Sequence, residues 1–237
     1  MPVAAIIFDL DGTLIDTEML SVETLTEIAG PSYSLDLQKR ILGMPSHEWT
    51  RIVIDELNLT MSPDDLAHAW HTILGTKVTS SVLLPGELLD PVISTCSWIY
   101  RSGALDLVQS LKNQPNVKVA LATSSTSKAV AIKRSVHPAL FEAFEVIVCG
   151  DDPAVVHGKP SPDIFLAAAT RLGIADTTTC VVVEDSPNGV KAGRAAGMQV
   201  VAVPDGRFYD EVGIAARFTD ADIVLRSLEH WHTAVFQ

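Results

Sequence analysis

Five short runs of apolar, mostly β-branched residues, at positions 3–8, 117–122, 146–149, 180–183 and 200–203, constrain this chain most. Each is nearly uninterrupted by polar residues, so each reads as a strand buried on both faces rather than one with a wet side. Helical patterns fall between most of them, for example at 104–112, 163–172 and 189–196. Doubly buried strands alternating with helices predict an α/β fold, a doubly wound parallel sheet covered on both sides. Gly189, Gly193 and Gly197 give the last of these helices a small face for close packing on the sheet, with Gly197 as its C-terminal cap.

Residues 16–84 read differently. They hold no comparable β-branched run, and their apolar residues recur at helical spacing: Leu20, Leu25 and Ile28; Trp49, Ile52, Val53 and Leu57; Leu66, Ala69 and Trp70. An all-helical module inserted after the first strand is expected, with Pro85-Gly86 marking its exit. The core is then 1–15 with 85–237, and the insert 16–84. With ten acids against four bases the insert is acidic, so it offers no obvious clamp for a second phosphate.

Seventeen Lys and Arg against 29 Asp and Glu give a formal net charge of −12. A field of that sign repels nucleic acid and anionic lipid but leaves room for a small anion in a locally positive pocket. Three cysteines without C-x-x-C spacing indicate neither a disulfide framework nor a thiolate zinc site. The N-terminal run has no basic flank and is broken by Asp9, so neither a signal peptide nor a membrane span is read there, and a cytoplasmic protein is expected.

The chemistry collects where the strands end. The first run leads into Asp9-Leu10-Asp11-Gly12-Thr13, two carboxylates that share a crevice if Gly12 turns the chain. Alone, this pair is a polar turn. The second run ends in Thr123-Ser124-Ser125, hydroxyls and N–H groups at a helix start that serve equally as an N-cap or an anion cradle. Lys159 follows the third run between Gly158 and Pro160, and the fourth ends in Glu184-Asp185. Acids directly after a buried strand must be desolvated or ligated. Carboxylate oxygens beside an anion cradle at one sheet edge suit Mg²⁺ and a phosphate.

In order and spacing, Asp9-Leu10-Asp11-Gly12-Thr13, Thr123, Lys159 and Glu184-Asp185 resemble the four motifs of the haloacid dehalogenase (HAD) superfamily. The type with a helical cap inserted after the first motif fits. The segments Gly150-Asp151-Asp152-Pro153 to Lys159 and Glu184-Asp185-Ser186-Pro187 to Gly206 are similar to those of eukaryotic pseudouridine-5′-phosphatases and glycerol-3-phosphatases. The resemblance implies Mg-dependent hydrolysis of a small phosphomonoester through an aspartyl-phosphate. Asp9 is then the nucleophile and Asp11 the general acid and base. It implies Mg²⁺ on the Asp9 carboxylate, the Asp11 carbonyl and Asp185, with Glu184 nearby, and phosphoryl oxygens on Thr123, the Ser124 N–H and Lys159. It also implies that Asp16-Thr17-Glu18 forms part of the hinge or lines the pocket, and that Gly43-Met44 belongs to a cap loop.

Two stretches depart from that pattern. Residues 87–102 are an apparent insertion of sixteen residues, and their apolar content predicts packing or a homodimer contact. The segment 29–36 is shorter. Two rival readings remain: a β-phosphoglucomutase-like phosphomutase, which needs a cationic anchor on the cap, and a catalytically silent scaffold that keeps the fold. No G-x-S-x-G, Cys/His pairing or G-x-G-x-x-G fingerprint follows any strand.

Overall fold

The computed structural model describes residues 2–42, 44, 46–80 and 100–231. The expected exit at Pro85-Gly86, most of the 87–102 insertion and Gly43 of the cap loop lie outside the described residues. The chain divides into two compact units, Met1–Asp16 with Tyr100–Gln237, and Thr17–Ile99.

The first unit holds β1 (Ala5–Phe8), β2 (Lys118–Thr123), β3 (Val146–Cys149), β4 (Cys180–Glu184), β5 (Gln199–Ala202) and β6 (Ile223–Val224). All pair in parallel in the order β3-β2-β1-β4-β5-β6. β1 is flanked on both sides, with Ile7 opposite Ala120 and Val182. Every residue of β1 and β4 is buried, as continuous apolar runs require. The order reverses between β1 and β4, and such switch points leave a crevice beyond the strands' carboxyl ends. β6, two residues at the sheet edge with Val224 exposed, carries too short a pattern to be read from sequence.

The helices of this unit begin and end where local chemistry directs. The predicted α5 (Ala104–Lys112) and α8 (Asp163–Leu172) coincide with the observed helices, with α6 (Ser127–Val136) and α7 (Pro138–Phe141) between them. α9 (Pro187–Ala195) starts two residues earlier than expected because Ser186 caps it, accepting the Gly189 N–H at 3.1 Å, with Pro187 next in line. Gly193 presses on the sheet: a Cβ there would lie 2.9 Å from Val200 Cγ2. Gly197, at φ +73°, follows the helix in the left-handed conformation. α10 (Glu211–Arg217) completes the set.

The second unit is helical where described: α1 (Glu18–Ala29), α2 (Leu35–Ile41), α3 (Ser46–Leu57) and α4 (Pro63–Ser80). Its own core gathers Leu25, Tyr33, Leu37, Ile41, Trp49, Val53 and Leu66, with Trp70 edge-on to Trp49 at 5.7 Å. Among the described residues no helix is long and apolar enough to cross a membrane.

Candidate active site

The turn after β1 is set by Gly12. It takes φ +82°, and its N–H donates to the Ile15 carbonyl at 2.8 Å. A Cβ at this position would overlap the Asp185 carboxylate, its Cγ only 2.7 Å away. The residue therefore answers two demands, a backbone that L side chains avoid and the close approach of an acid from the β4 end. Thr13 fixes that acid, its hydroxyl donating to Asp185 Oδ1 at 2.9 Å.

Lys159 bridges strands that are far apart in sequence. Its ammonium donates to Asp9 Oδ1 at 2.6 Å, to Glu184 Oε1 at 2.7 Å and to the Ala122 carbonyl at 3.1 Å. It also lies 5.0 Å from the centre of the Phe165 ring. The loop that carries it is pinned by Asp163, which accepts the Val156 and His157 N–H groups at 3.0 and 2.9 Å and the Ser161 hydroxyl at 2.6 Å. Burial opposes the lysine's charge, but Asp9 and Glu184 outweigh it and hold the ammonium above the ordinary lysine range.

Glu184 is 1% exposed. Its second oxygen accepts both the N–H and the hydroxyl of Ser186, each at 2.9 Å. The residue that caps α9 thus also orients the acid at the end of β4.

Asp9, Glu184 and Asp185 each offer an oxygen within 4.8 Å of the others, all three residues buried. With Lys159 these four groups carry a formal charge of −2. Burial pushes the Asp9 carboxyl up to about 7. Lys159 opposes the rise, while Glu184 and Asp11 add to it. Crowded hard-oxygen donors with excess negative charge fit a small divalent cation bound through carboxylates.

The structure thus brings Asp9, Lys159, Glu184 and Asp185 together. The Asp11 carboxyl does not join this acidic group. Its Oδ2 accepts the hydroxyls of Ser125 at 2.8 Å and Thr123 at 3.3 Å, and Lys133 is ion-paired to Oδ1. Thr123 is fully buried at the end of β2, and Ser124 is exposed in the following loop. Ser125 and Lys133 are site residues that the motif pattern does not single out. Ser125 belongs to the hydroxyl cluster Thr123-Ser124-Ser125 but has no role of its own in the motif pattern, whereas a lysine ten residues past Thr123 looks in sequence like any solvated helix residue.

Residues 3–197 match a family model described as haloacid dehalogenase-like hydrolase. A Drosophila melanogaster protein named "Probable pseudouridine-5′-phosphatase" is 37% identical over 210 residues, covering 86% of this chain and 83% of that one. (DL)-glycerol-3-phosphatase 2 of Arabidopsis thaliana is 33% identical, covering 85% and 80%. Among solved structures, CbbY from Rhodobacter sphaeroides in complex with phosphate superposes with a TM-score of 0.69 at 25% identity, over 96% of each chain. With four acidic, basic and hydroxyl elements assembled at one sheet edge and this match across most of its length, the chain belongs to the haloacid dehalogenase-like hydrolase family.

Proposed function

We propose that this chain is a Mg²⁺-dependent phosphatase of small phosphomonoesters that works through an aspartyl-phosphate on Asp9. The observation that carries the reading is Lys159 held between Asp9 and Glu184, with the Asp185 oxygen beside them at the carboxyl ends of β1 and β4. An ammonium against a buried carboxylate favours its ionised, nucleophilic form and adds a donor for a phosphoryl oxygen.

Asp9 attacks phosphorus, and the bond to the ester oxygen breaks with its electron pair leaving on the alkoxide. The Asp11 carboxyl gives that oxygen a proton. In the second step Asp11 takes a proton from a water, whose oxygen attacks phosphorus. The bond to Asp9 then breaks, returning a carboxylate and releasing inorganic phosphate. Thr123, the Ser124 N–H and Lys159 bind the phosphoryl oxygens. Asp9, the Asp11 carbonyl and Asp185, with Glu184 close by, would hold Mg²⁺, which would supply positive charge against the developing negative charge. The names of the relatives support a nucleoside 5′-phosphate such as pseudouridine 5′-phosphate, or a polyol or sugar phosphate such as glycerol 3-phosphate, as substrate.

The test is hydrolysis of p-nitrophenyl phosphate with and without Mg²⁺, alongside Asp9→Asn. Turnover should need the cation and fall at least about 1,000-fold in the variant. Equal background rates for both proteins would leave a silent scaffold. Transfer to a second hydroxyl of a sugar phosphate, in place of phosphate release, would mark a mutase.

A further inference from the structure

Lys133 lies on α6, and its side chain is only 8% exposed. The buried side of that helix also carries Val130. Burying an ammonium costs several kcal/mol unless its partners repay it, and an apolar side chain of similar length fills such a position at less cost. The partners here are specific. The ammonium pairs with Asp11 Oδ1 and donates to Ser125 Oγ at 2.8 Å, while Ser125 donates to Asp11 Oδ2 at 2.8 Å. Lysine, serine and aspartate close a ring, with one Asp11 oxygen held by Lys133 of α6 and the other by Ser125 of the loop before it. Asp11 is not one of the three acids, Asp9, Glu184 and Asp185, whose oxygens lie within 4.8 Å of one another.

We infer that Lys133 is a positioning residue for the Asp11 carboxyl. It fixes the rotamer in which this side chain stays with the hydroxyls of Thr123 and Ser125 instead of swinging among the acids that face the cation. The inference rests on the proposed role of Asp11 as acid and base. Without Lys133 the carboxyl loses this ion pair while the bonds from Ser125 and Thr123 stay, and its loss of position should be felt wherever the leaving oxygen needs a proton. Lys133 itself touches neither phosphorus nor the leaving group.

The test compares an alkyl phosphate, whose alkoxide needs protonation, with p-nitrophenyl phosphate, whose leaving group does not. Wild type, Asp11→Asn, Lys133→Met, Lys133→Gln, Lys133→Arg and the double variant Asp11→Asn/Lys133→Met are assayed, with thermal unfolding as the check on folding. Lys133→Met and Lys133→Gln should lose kcat on the alkyl ester about 10- to 100-fold more than on the nitrophenyl ester, with KM nearly unchanged. Lys133→Arg should recover part of the loss. The double variant should be no slower than Asp11→Asn by more than about twofold, because both act through one group. If Lys133→Met does not fold, Lys133→Gln carries the comparison. Equal losses on both esters in the Lys133 variants, with Asp11→Asn still selective, would reduce Lys133 to a structural ion pair. If Asp11→Asn shows no selectivity, the acid role of Asp11 fails, and the inference about Lys133 falls with it.

Discussion

Gly189 leaves the space that the Glu184 carboxyl group occupies. A Cβ built on Gly189 would overlap the Glu184 Cδ and both of its oxygens. By helix propensity alone, Gly189→Ala should stabilise α9 by up to about 1 kcal/mol. Overpacking against a buried acid costs about 1–3 kcal/mol and wins. Gly189→Ala is therefore expected to lower the unfolding midpoint and reduce turnover at least about tenfold, since Glu184 cannot keep its bond to Lys159 without moving. Thermal unfolding with steady-state kinetics checks both; a variant as stable and as active as wild type would refute the steric claim.

Lys159 bonds two of the three acids in the group. Lys159→Met leaves those acids to repel one another, a change that costs about 3–5 kcal/mol when one partner of a buried pair is removed. Mg²⁺ should offset part of that cost, and it should raise the melting temperature of the variant more than that of wild type. At a hundred times the dissociation constant, such binding contributes about 2.7 kcal/mol. Thermal shift with and without Mg²⁺ gives the answer, and an equal shift in both proteins would mean that Lys159 and the cation do not share these carboxylates.

The run at 180–183 was legible because burial on both faces leaves an unbroken apolar run, and it maps onto β4 within one residue, whereas the run at 146–149 forms β3, an edge strand with only Val148 buried. The acids were legible because Asp9, Glu184 and Asp185 stand where a strand has just ended. Lys133 was not, because its meaning depends on helical phase: with Thr126 as N-cap, Val130 and Lys133 fall on the buried side, while Lys128 is exposed. Arg101 and Asp205, 104 residues apart, were equally invisible as a pair. Only the fold brings the chain that follows β5 against Arg101, the residue after Tyr100, which is bridged to Ile15.

The Arg101–Asp205 pair should contribute to stability that is lost in acid. Asp205 is buried, and it accepts Arg101 at 2.7 Å and the Arg207 N–H and Nε at 2.9 and 3.0 Å; Arg207 in turn reaches Asp16 at 2.8 Å. Burial pushes the Asp205 carboxyl upward, but the bonds from Arg207, its backbone N–H and the charge of Arg101 prevail and hold it below the ordinary aspartate value of 3.8. A depressed folded value stabilises the protein above the unfolded one, and that stability drains away as pH drops below about 4. Asp205→Asn should cost about 1–3 kcal/mol at neutral pH, with the gap to wild type closing in acid. Melting temperatures from pH 7 to pH 3 test this, and a gap that stays constant would exclude Asp205 as the titrating group.

The covalent role of Asp9 is tested most directly by mixing enzyme with a phosphomonoester, quenching in acid within a turnover and mapping the protein by mass spectrometry. One phosphoryl group should appear on the peptide carrying Asp9, vanish in Asp9→Asn and decay at the rate phosphate is released. Full turnover with no phosphoryl group on that peptide would contradict it.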